Sequence, residues 1–497
     1  MNNTGNMRFI LLLLVISLVG CNDDFTQEDA PFAVTSGNFF NNKEDYNDAL
    51  IASYDILQST YLNVILGEIA SDNTNAGGES ATDVVGWQQV DKMQHTPVNQ
   101  DIDDVWDFNF AGVQRASFII ENKDNIDFEG KAQIIAEARF LRAYFNFELV
   151  KWFGPIPIKP EGQFELGEET SLPRSPVADV YAYIEDDLQA AISDLSVQPP
   201  QVGRASKASA QALLGKVFLY QEKFQQSAEQ LNEVINSGQF HLFGTQDGEN
   251  FLQLFEFANE NSPESVFEIQ YTNTEGAGFG CLQCVEGNVM VGFSGVRQYS
   301  GPVYDSGFGF NLPRQEVVDA FNDNDLRKQL SILDIEAWAA ETDASYQIGN
   351  QDPVTGHTGF YNRKYIPRKN DDRASDPNLT HPNNYRAIRY ADVLLMAAEA
   401  LNRGGINDEL ARTYVNQVRQ RAGLNAINSS GSQLLDDIYL QRRLELVGEG
   451  HRFFDLVRTG RAAQEIEGFQ APKHNLFPIP LEEIQFSQGN WEQNPDY

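Results

Sequence analysis

Basic residues are scarce in this 497-residue sequence, where 36 Lys and Arg stand against 71 Asp and Glu for a formal charge of -35 at pH 7. Such a field repels phosphate backbones and anionic headgroups over about a Debye length, which argues against nucleic acid as a partner. The acidity fits solubility and names no ligand. Cysteine is rarer still, at three residues, and the six histidines stand in no catalytic or metal-binding motif. No catalytic residue, metal site or cofactor is therefore assigned. Among so many carboxylates some pair always lies close enough for glycoside hydrolysis, so their abundance is no evidence for it. Long apolar runs are also missing: the longest, Phe9 to Val19, has eleven residues, short of the roughly 20 that cross a bilayer. What is present is a globular composition, 41% hydrophobic and 11% aromatic, on a chain long enough for several domains or one stacked helical body.

The short apolar run follows Arg8 and ends in Leu18-Val19-Gly20-Cys21. It suits the core of an export signal, and its end resembles the lipobox of bacterial lipoproteins, in which the cysteine is acylated and becomes the mature N-terminus. Residues 1–20 are read as the signal peptide, 21–36 as a lipidated tether and 37–497 as the body. Asn22-Asp23-Asp24 resembles the acidic tag that sends such lipoproteins to the cell surface in Bacteroidetes. Acyl chains on Cys21 would hold the body at the outer membrane, each buried methylene contributing about 0.8 kcal/mol.

Helical periodicity dominates the body of the chain. Tyr46, Leu50, Ser53 and Leu57 share a face, as do Trp106, Phe110, Val113 and Ser117, and again Ile134, Ala138, Leu141, Phe145, Leu149 and Trp152 before Gly154-Pro155. Leu214-Gly215-Lys216-Val217-Phe218 matches the core of a tetratricopeptide repeat, with Gln211 and Ser227 at positions where the repeat prefers Trp and Ala. Asn384 to Arg421 reads as an antiparallel helix hairpin broken at Gly404-Gly405, with Arg389 and Asp392 placed for an ion pair. Glu449, Arg452, Asp455 and Arg458 read as an intrahelical ladder of the same kind. Two stretches are irregular. Ser71 to Gln100, rich in Asn, Gly and Ser, reads as a long loop. Phe240 to Asn383 is Gly- and aromatic-rich, with one strand-like segment at Val266 to Tyr271. Asn322 to Asp325 lacks the glycine and ligand spacing of a calcium loop and reads as a helix cap. The fold class is thus mostly α: stacked tetratricopeptide-like hairpins near 104–153, 175–238, 385–423 and 434–461, with a loop-rich lobe over about 240–383 that contains short strands.

Four segments carry a resemblance: AEARFLRAYFNFELVKWFGPIP from Ala136, IRYADVLLMAAEALN from Ile388, VNQVRQRAGL from Val415 and LQRRLELVGEGHRFFDLVRTGR from Leu440. With HNLFPIPLEEI, QNPDY and the lipobox, they make the chain similar to the SusD/RagB family of outer-membrane nutrient-binding lipoproteins. The resemblance implies a ligand-carrying variable part on the helical scaffold. It also implies a SusC-like TonB-dependent transporter as partner, with this protein as its hinged lid. The implied ligand is an oligosaccharide or polysaccharide, and in some members a peptide.

A glycan site needs aromatic faces for pyranose C–H groups and planar polar groups for the hydroxyls. Trp106 and Trp152 have helical core positions, and Trp491 is expected to pin the C-terminal tail. Trp87 and Trp338 remain as ligand-contacting candidates, joined by Tyr299 and Tyr304, with Asp72, Asn73 and Gln88 as hydrogen-bonding partners. Cys281 and Cys284 form either a small disulfide or a pair of free thiols, since no further ligands for zinc stand nearby. A peptide-binding member of the same system and a glycoside hydrolase are the competing functional readings.

Overall fold

The computed structural model describes residues 39–159, 171–274, 278–284, 286–350, 352, 356–369 and 376–497; the export segment, Cys21 and the tether lie outside them. The body opens with α1 (Lys43–Ser59), whose first turn is closed by a reciprocal bond between Asn42 and Asp45, and α2 (Tyr61–Ile69), buried along its whole length. The expected loop then proves to be built. Thr74–Gly77 forms β1 and Val85–Asp91 a short α3 before Asn99 caps α4 (Gln100–Glu121). Ser71, Asn73 and Asn99 face inward to polar partners rather than out to water, which composition alone could not reveal. Helix α5 (Lys131–Phe153) packs on α4 and ends at Gly154, where the positive φ of 70° suits glycine.

Then come α6 (Val177–Asp194), α7 (Lys207–Tyr220) and α8 (Phe224–Asn236). At Gly215 a Cβ would stand 2.6 Å from Leu231, so only glycine lets α7 and α8 approach this closely. The unusual Ser227 has a local reason: its hydroxyl donates to the Gly215 carbonyl at 2.8 Å.

The irregular lobe begins at β2 (Ser265–Ile269) and continues through α9 (Val289–Ser294), β3 (Val296–Arg297), β4 (Ser306–Gly307) and β5 (Phe310–Pro313). After α10 (Gln315–Asp319), Asp325 caps α11 (Leu326–Ser331), so the acidic tetrapeptide does serve as a helix start. Strand β6 (Ile332–Asp334), α12 (Ile335–Thr342) and β7 (Phe360–Asn362) lead back to the scaffold. There β8 (Tyr385–Arg389) precedes α13 (Tyr390–Arg403), α14 (Asp408–Arg421), α15 (Gly431–Leu446) and α16 (Arg452–Arg458). The antiparallel pairs β1–β5 and β2–β8 stitch the lobe to the rest of the body, while within the lobe β6 and β7 pair antiparallel and β3 and β4 in parallel. One large apolar core runs through the helices, and a separate cluster built on Val296, Tyr299, Tyr304, Leu333, Ile335 and Tyr361 fills the lobe.

The hairpin is real but starts later than its periodicity suggests, because Tyr385–Arg389 forms β8. Arg389 does not pair with Asp392. It reaches Glu264 at 2.6 Å, Glu445 at 3.0 Å and Glu449 at 2.8 Å. Lys364 adds a 2.6 Å bond to Glu449 and Arg421 a 2.8 Å bond to Glu264, all deeply buried. Asp392 instead meets Arg442 at 2.7 Å. Of the expected ladder only Asp455–Arg458 is intrahelical, at 2.6 Å, since Arg452 turns to Asp72 and Glu449 to Arg389 and Lys364. In a dry interior distant opposite charges outcompete near neighbours on a wet helix face, because an unpaired buried ion is the larger penalty. Trp106 and Trp152 are core, and Trp491 anchors the tail through a 2.7 Å bond from its Nε1–H to the Leu172 carbonyl. No described helix is long and apolar enough to cross a membrane.

These carboxylates set the response to pH. Burial alone would raise Glu449, but Arg389 and Lys364 outweigh it and hold the carboxyl below its ordinary range; Lys216 and Arg442 do the same for Asp392, and Arg442 and Arg458 for Asp455. Stability from such groups is present above the unfolded carboxylate pKa of about 4 and is lost on acidification below it. A second set behaves oppositely. Burial pushes Asp91 and Asp101 up to about 6 and, with repulsion from Asp107 and Asp103, Glu483 up to about 7, so their ionisation costs stability as pH rises through that range. Urea unfolding followed by circular dichroism is expected to find maximal stability near about pH 5, with a steep loss below about pH 4. In the same assay at neutral pH, Glu449→Gln is expected to cost roughly 3–5 kcal/mol, as removal of one partner from a buried ion cluster does.

Candidate functional site

The seven ligand-contacting candidates separate into two groups. Trp87 is 2% exposed. Its ring lies edge-on to Phe293 at 4.9 Å and Phe310 at 5.0 Å, and its Nε1–H donates to Asp101 Oδ1 at 3.0 Å. It therefore serves as the core of the region around α3, not as an open stacking face. Gln88 beside it is buried and donates to the Gly77 carbonyl at 2.7 Å. Asn73 is buried between Glu68, to which it donates at 3.2 Å, and Arg443, from which it accepts at 2.9 Å. Asp72 holds Arg452 through both carboxylate oxygens at 2.7 and 2.9 Å and Arg443 at 2.8 Å. Burial would raise its carboxyl, but Arg452 pulls it below the usual range. Asp72 and Asn73 are thus occupied in joining the start of the chain to α15 and α16, and Gln88 in a local bond to β1.

Trp338, Tyr299 and Tyr304 come together in the lobe. Trp338 projects from α12, and Asp334 caps that helix by accepting from the Ala337 N–H at 2.9 Å. The indole Nε1–H donates to the Tyr299 hydroxyl at 2.9 Å, and that hydroxyl donates onward to the Pro302 carbonyl at 2.6 Å. Tyr304 meets the Trp338 ring edge-on at 5.3 Å and Tyr299 at 6.2 Å. Both tyrosines are buried, whereas Trp338 is half-buried and keeps part of its ring open. The tyrosines therefore position the indole, and the indole offers the surface. Two ladder bonds of 2.9 Å between Ser300 and Ser345 hold the 299–305 and 344–347 segments side by side.

Sequence reasoning missed Tyr346 and His357. Tyr346 is half-buried against the same cluster, and its ring lies 6.2 Å from that of His357. Burial, then Glu336 and Asp334, raise its phenol, while burial lowers the His357 imidazole against the opposing pull of Glu336. The signal was an aromatic residue in an otherwise polar stretch with no periodic role. Val303 adds a second mark, since it is exposed and holds a φ of 68°, unusual for a β-branched residue and a form of strain that often accompanies functional loops. The ensemble is an aromatic cluster with the exposed carboxylates of Glu336 and Asp334 beside it. Elsewhere in the lobe Cys281 and Cys284 are joined by a disulfide, and exposed Phe279 rests edge-on against Phe308 at 5.5 Å. Among the described residues no group of three or more His, Cys, Asp or Glu could hold a metal ion.

Comparison with known proteins places this architecture. Residues 344–476 match the model described as the SusD family, and residues 33–219 match one described as starch-binding, associating with outer membrane. A SusD-like protein of Formosa agariphila is 27% identical, with 99% of each chain covered. A solved laminarin-binding SusD-like protein is 34% identical, superposes with a TM-score of 0.82 and covers 92% of this chain and 100% of its own. A surface glycan-binding protein of Bacteroides thetaiotaomicron, solved with laminarihexaose, is 25% identical with a TM-score of 0.78, covering 91% of this chain and 99% of its own. Family models at both ends, identity sustained along nearly the whole length and a shared helical fold agree: the chain belongs to the SusD/RagB family.

Proposed function

We propose that the protein is a cell-surface lipoprotein, anchored through Cys21 in the outer membrane, that captures a glycan and delivers it to a SusC-like TonB-dependent transporter as its lid. The observation that carries the reading is the half-open Trp338 ring, held by the Tyr299 hydroxyl and backed by Tyr304. A pyranose stacks on such a ring through its C–H groups, and the carboxylates of Glu336 and Asp334 stand at the border to accept hydroxyl donors. The similarity to a laminarin-binding relative favours a β-glucan as ligand. No chemistry is required of the site: the glycan is held and passed on, and the energy for import acts on the partner.

Affinity electrophoresis through gels containing laminarin tests the Trp338 ledge. The parent protein is expected to be retarded and Trp338→Ala to lose most of that retardation, an effect of about tenfold or more in affinity. Trp87→Ala should alter stability before it alters binding. Equal migration of parent and Trp338→Ala in every gel that retards the parent would place the glycan elsewhere, and retardation by peptide ligands alone would favour the peptide-binding reading. Product release from a polysaccharide, abolished by changing a carboxylate, would instead establish a hydrolase. Anchoring is tested separately. Cys21→Ala is expected to move the protein from the detergent phase to the aqueous phase in a phase-partition assay of cell extracts, because the acyl chains are then absent.

A further inference from the structure

A preformed cleft lies between the 195–206 connection, which follows α6, and strand β2. Its two chambers, of about 320 and 260 Å³, share Val202, Gly203, Arg204 and Glu268. Gly203, at a φ of 86°, presses on Gln270 where the chambers meet, so that a Cβ there would stand 2.3 Å from the Gln270 side chain. The connection is tied down on several sides. Lys207 N–H donates to the Ser196 carbonyl at 3.0 Å, Ser196 N–H to Gln133 at 2.9 Å and Ala205 N–H to the Tyr54 hydroxyl at 2.9 Å.

The lining has the chemistry of a polyol site. Half-buried Phe240 supplies an aromatic wall beside Gln198, Gln239 and Asn261. Ser262 and Glu268 also line the larger chamber, at 8% and 3% exposure. Ser262 Oγ and Glu268 Oε1 find no hydrogen-bond partner among the described residues, and Arg386, at 4.0 Å from Glu268, stands beyond hydrogen-bond reach. Both atoms are closed to water and Glu268 Oε1 faces the equally unpartnered Arg386 Nη2, so it is the amides of Gln198, Gln239 and Asn261 along the cleft wall that are placed to meet the hydroxyls of a ligand. Charge narrows the class: Glu268, Asp55 and Glu286 line the cleft opposite Arg204, which is itself 3.7 Å from Glu137, so a uronate or sulfate would be repelled. An added peptide strand fits less well. Along β2 the carbonyls of Glu268 and Gln270 already accept from the Gln270 and Gln58 amides, at 2.8 and 3.0 Å.

We propose that this cleft is a second carbohydrate site, separate from the Trp338 ledge, that takes a short stretch of a neutral oligosaccharide. The choice of sugar rests on the proposed glycan-binding function. Two weak sites engaging one polymer hold it more tightly than either alone, because the second contact forms at high effective concentration.

Hydroxyl-radical footprinting of the parent and of Trp338→Ala with laminarihexaose tests this in the full-length chain. Oxidation of Val202, which is 73% exposed, and of Phe240 is expected to fall about threefold or more in both proteins. Calorimetry should then find that Phe240→Ala weakens the binding remaining in Trp338→Ala by about tenfold. Protection around Trp338 with none at Val202 and Phe240 would overturn the second site and leave the ledge standing. Protection at Val202 and Phe240 alone would support the cleft and overturn the ledge, and protection at neither would overturn both. Should penta-alanine protect the cleft while the hexaose does not, the carbohydrate assignment falls.

Discussion

Four cations, Arg327, Lys364, Arg389 and Arg421, and four carboxylates, Glu264, Asp325, Glu445 and Glu449, share one buried region where α14, α15 and the lobe converge. Each ion alone would cost several kcal/mol to bring out of water, so the set is tolerable only when every partner is in place. That requirement makes the cluster a test of correct assembly. Glu264 arrives just before β2, Lys364 just after β7, Arg389 at the end of β8, Glu445 at the end of α15 and Glu449 in the turn that follows it. A slip of the lobe against the scaffold would strand charges of both signs. The cluster adds little net stability compared with an apolar core of equal volume, but it fixes register between segments far apart in the chain.

A second buried set, Asp392, Arg442, Asp455, Arg458 and Glu399, ties α13 to α15 and α16. Together the two sets hold half of the charged residues in the four long segments by which the family is recognised, nine of eighteen. Those segments therefore identify the scaffold and its attachment to the lobe. They do not identify what the lobe holds.

This division explains which parts of the structure were legible in the sequence. The long helices were, because an apolar stripe at helical spacing has few other uses, and Gly215 was, because a close helix crossing tolerates only glycine. The first residues of the presumed hairpin were misread: Ala387 and Ile388 fit a helical stripe as well as a strand, and only pairing with β2, more than a hundred residues earlier, decides between them. Arg389 and Asp392 were misread for a related reason. Spacing along a helix reveals which charges can meet on a wet surface, whereas burial selects partners from distant segments. In the candidate site, Trp338 with Tyr299 and Tyr304 could be named singly because each lay outside any periodic pattern. Their convergence could not be read, since the segments that carry them are joined by backbone ladders with no side-chain signature. Trp87 failed by the same logic: a tryptophan outside a helix stripe can be a ligand platform or the nucleus of a small irregular core, and the surrounding Phe293 and Phe310 made it the latter.

The proposed ledge around Trp338 would suit capture followed by release. Stacking on one half-open indole contributes on the order of 1 kcal/mol per contact beyond simple burial, far below what a charged or deeply enclosed site provides. Affinity of that size gives short residence times, because differences among related complexes lie mostly in the off-rate. A carrier that must surrender its cargo to a transporter gains from this, provided something else limits loss to the medium. The proposed membrane attachment and the proposed second point of contact on the same polymer would both do so without strengthening any single contact, since they raise local concentration rather than bond energy. A rigid scaffold is what makes weak contacts sufficient. The Trp338 indole is already oriented by the Tyr299 hydroxyl and Tyr304, whose segments are joined to their neighbours by backbone ladders, so the ligand does not have to pay for ordering it.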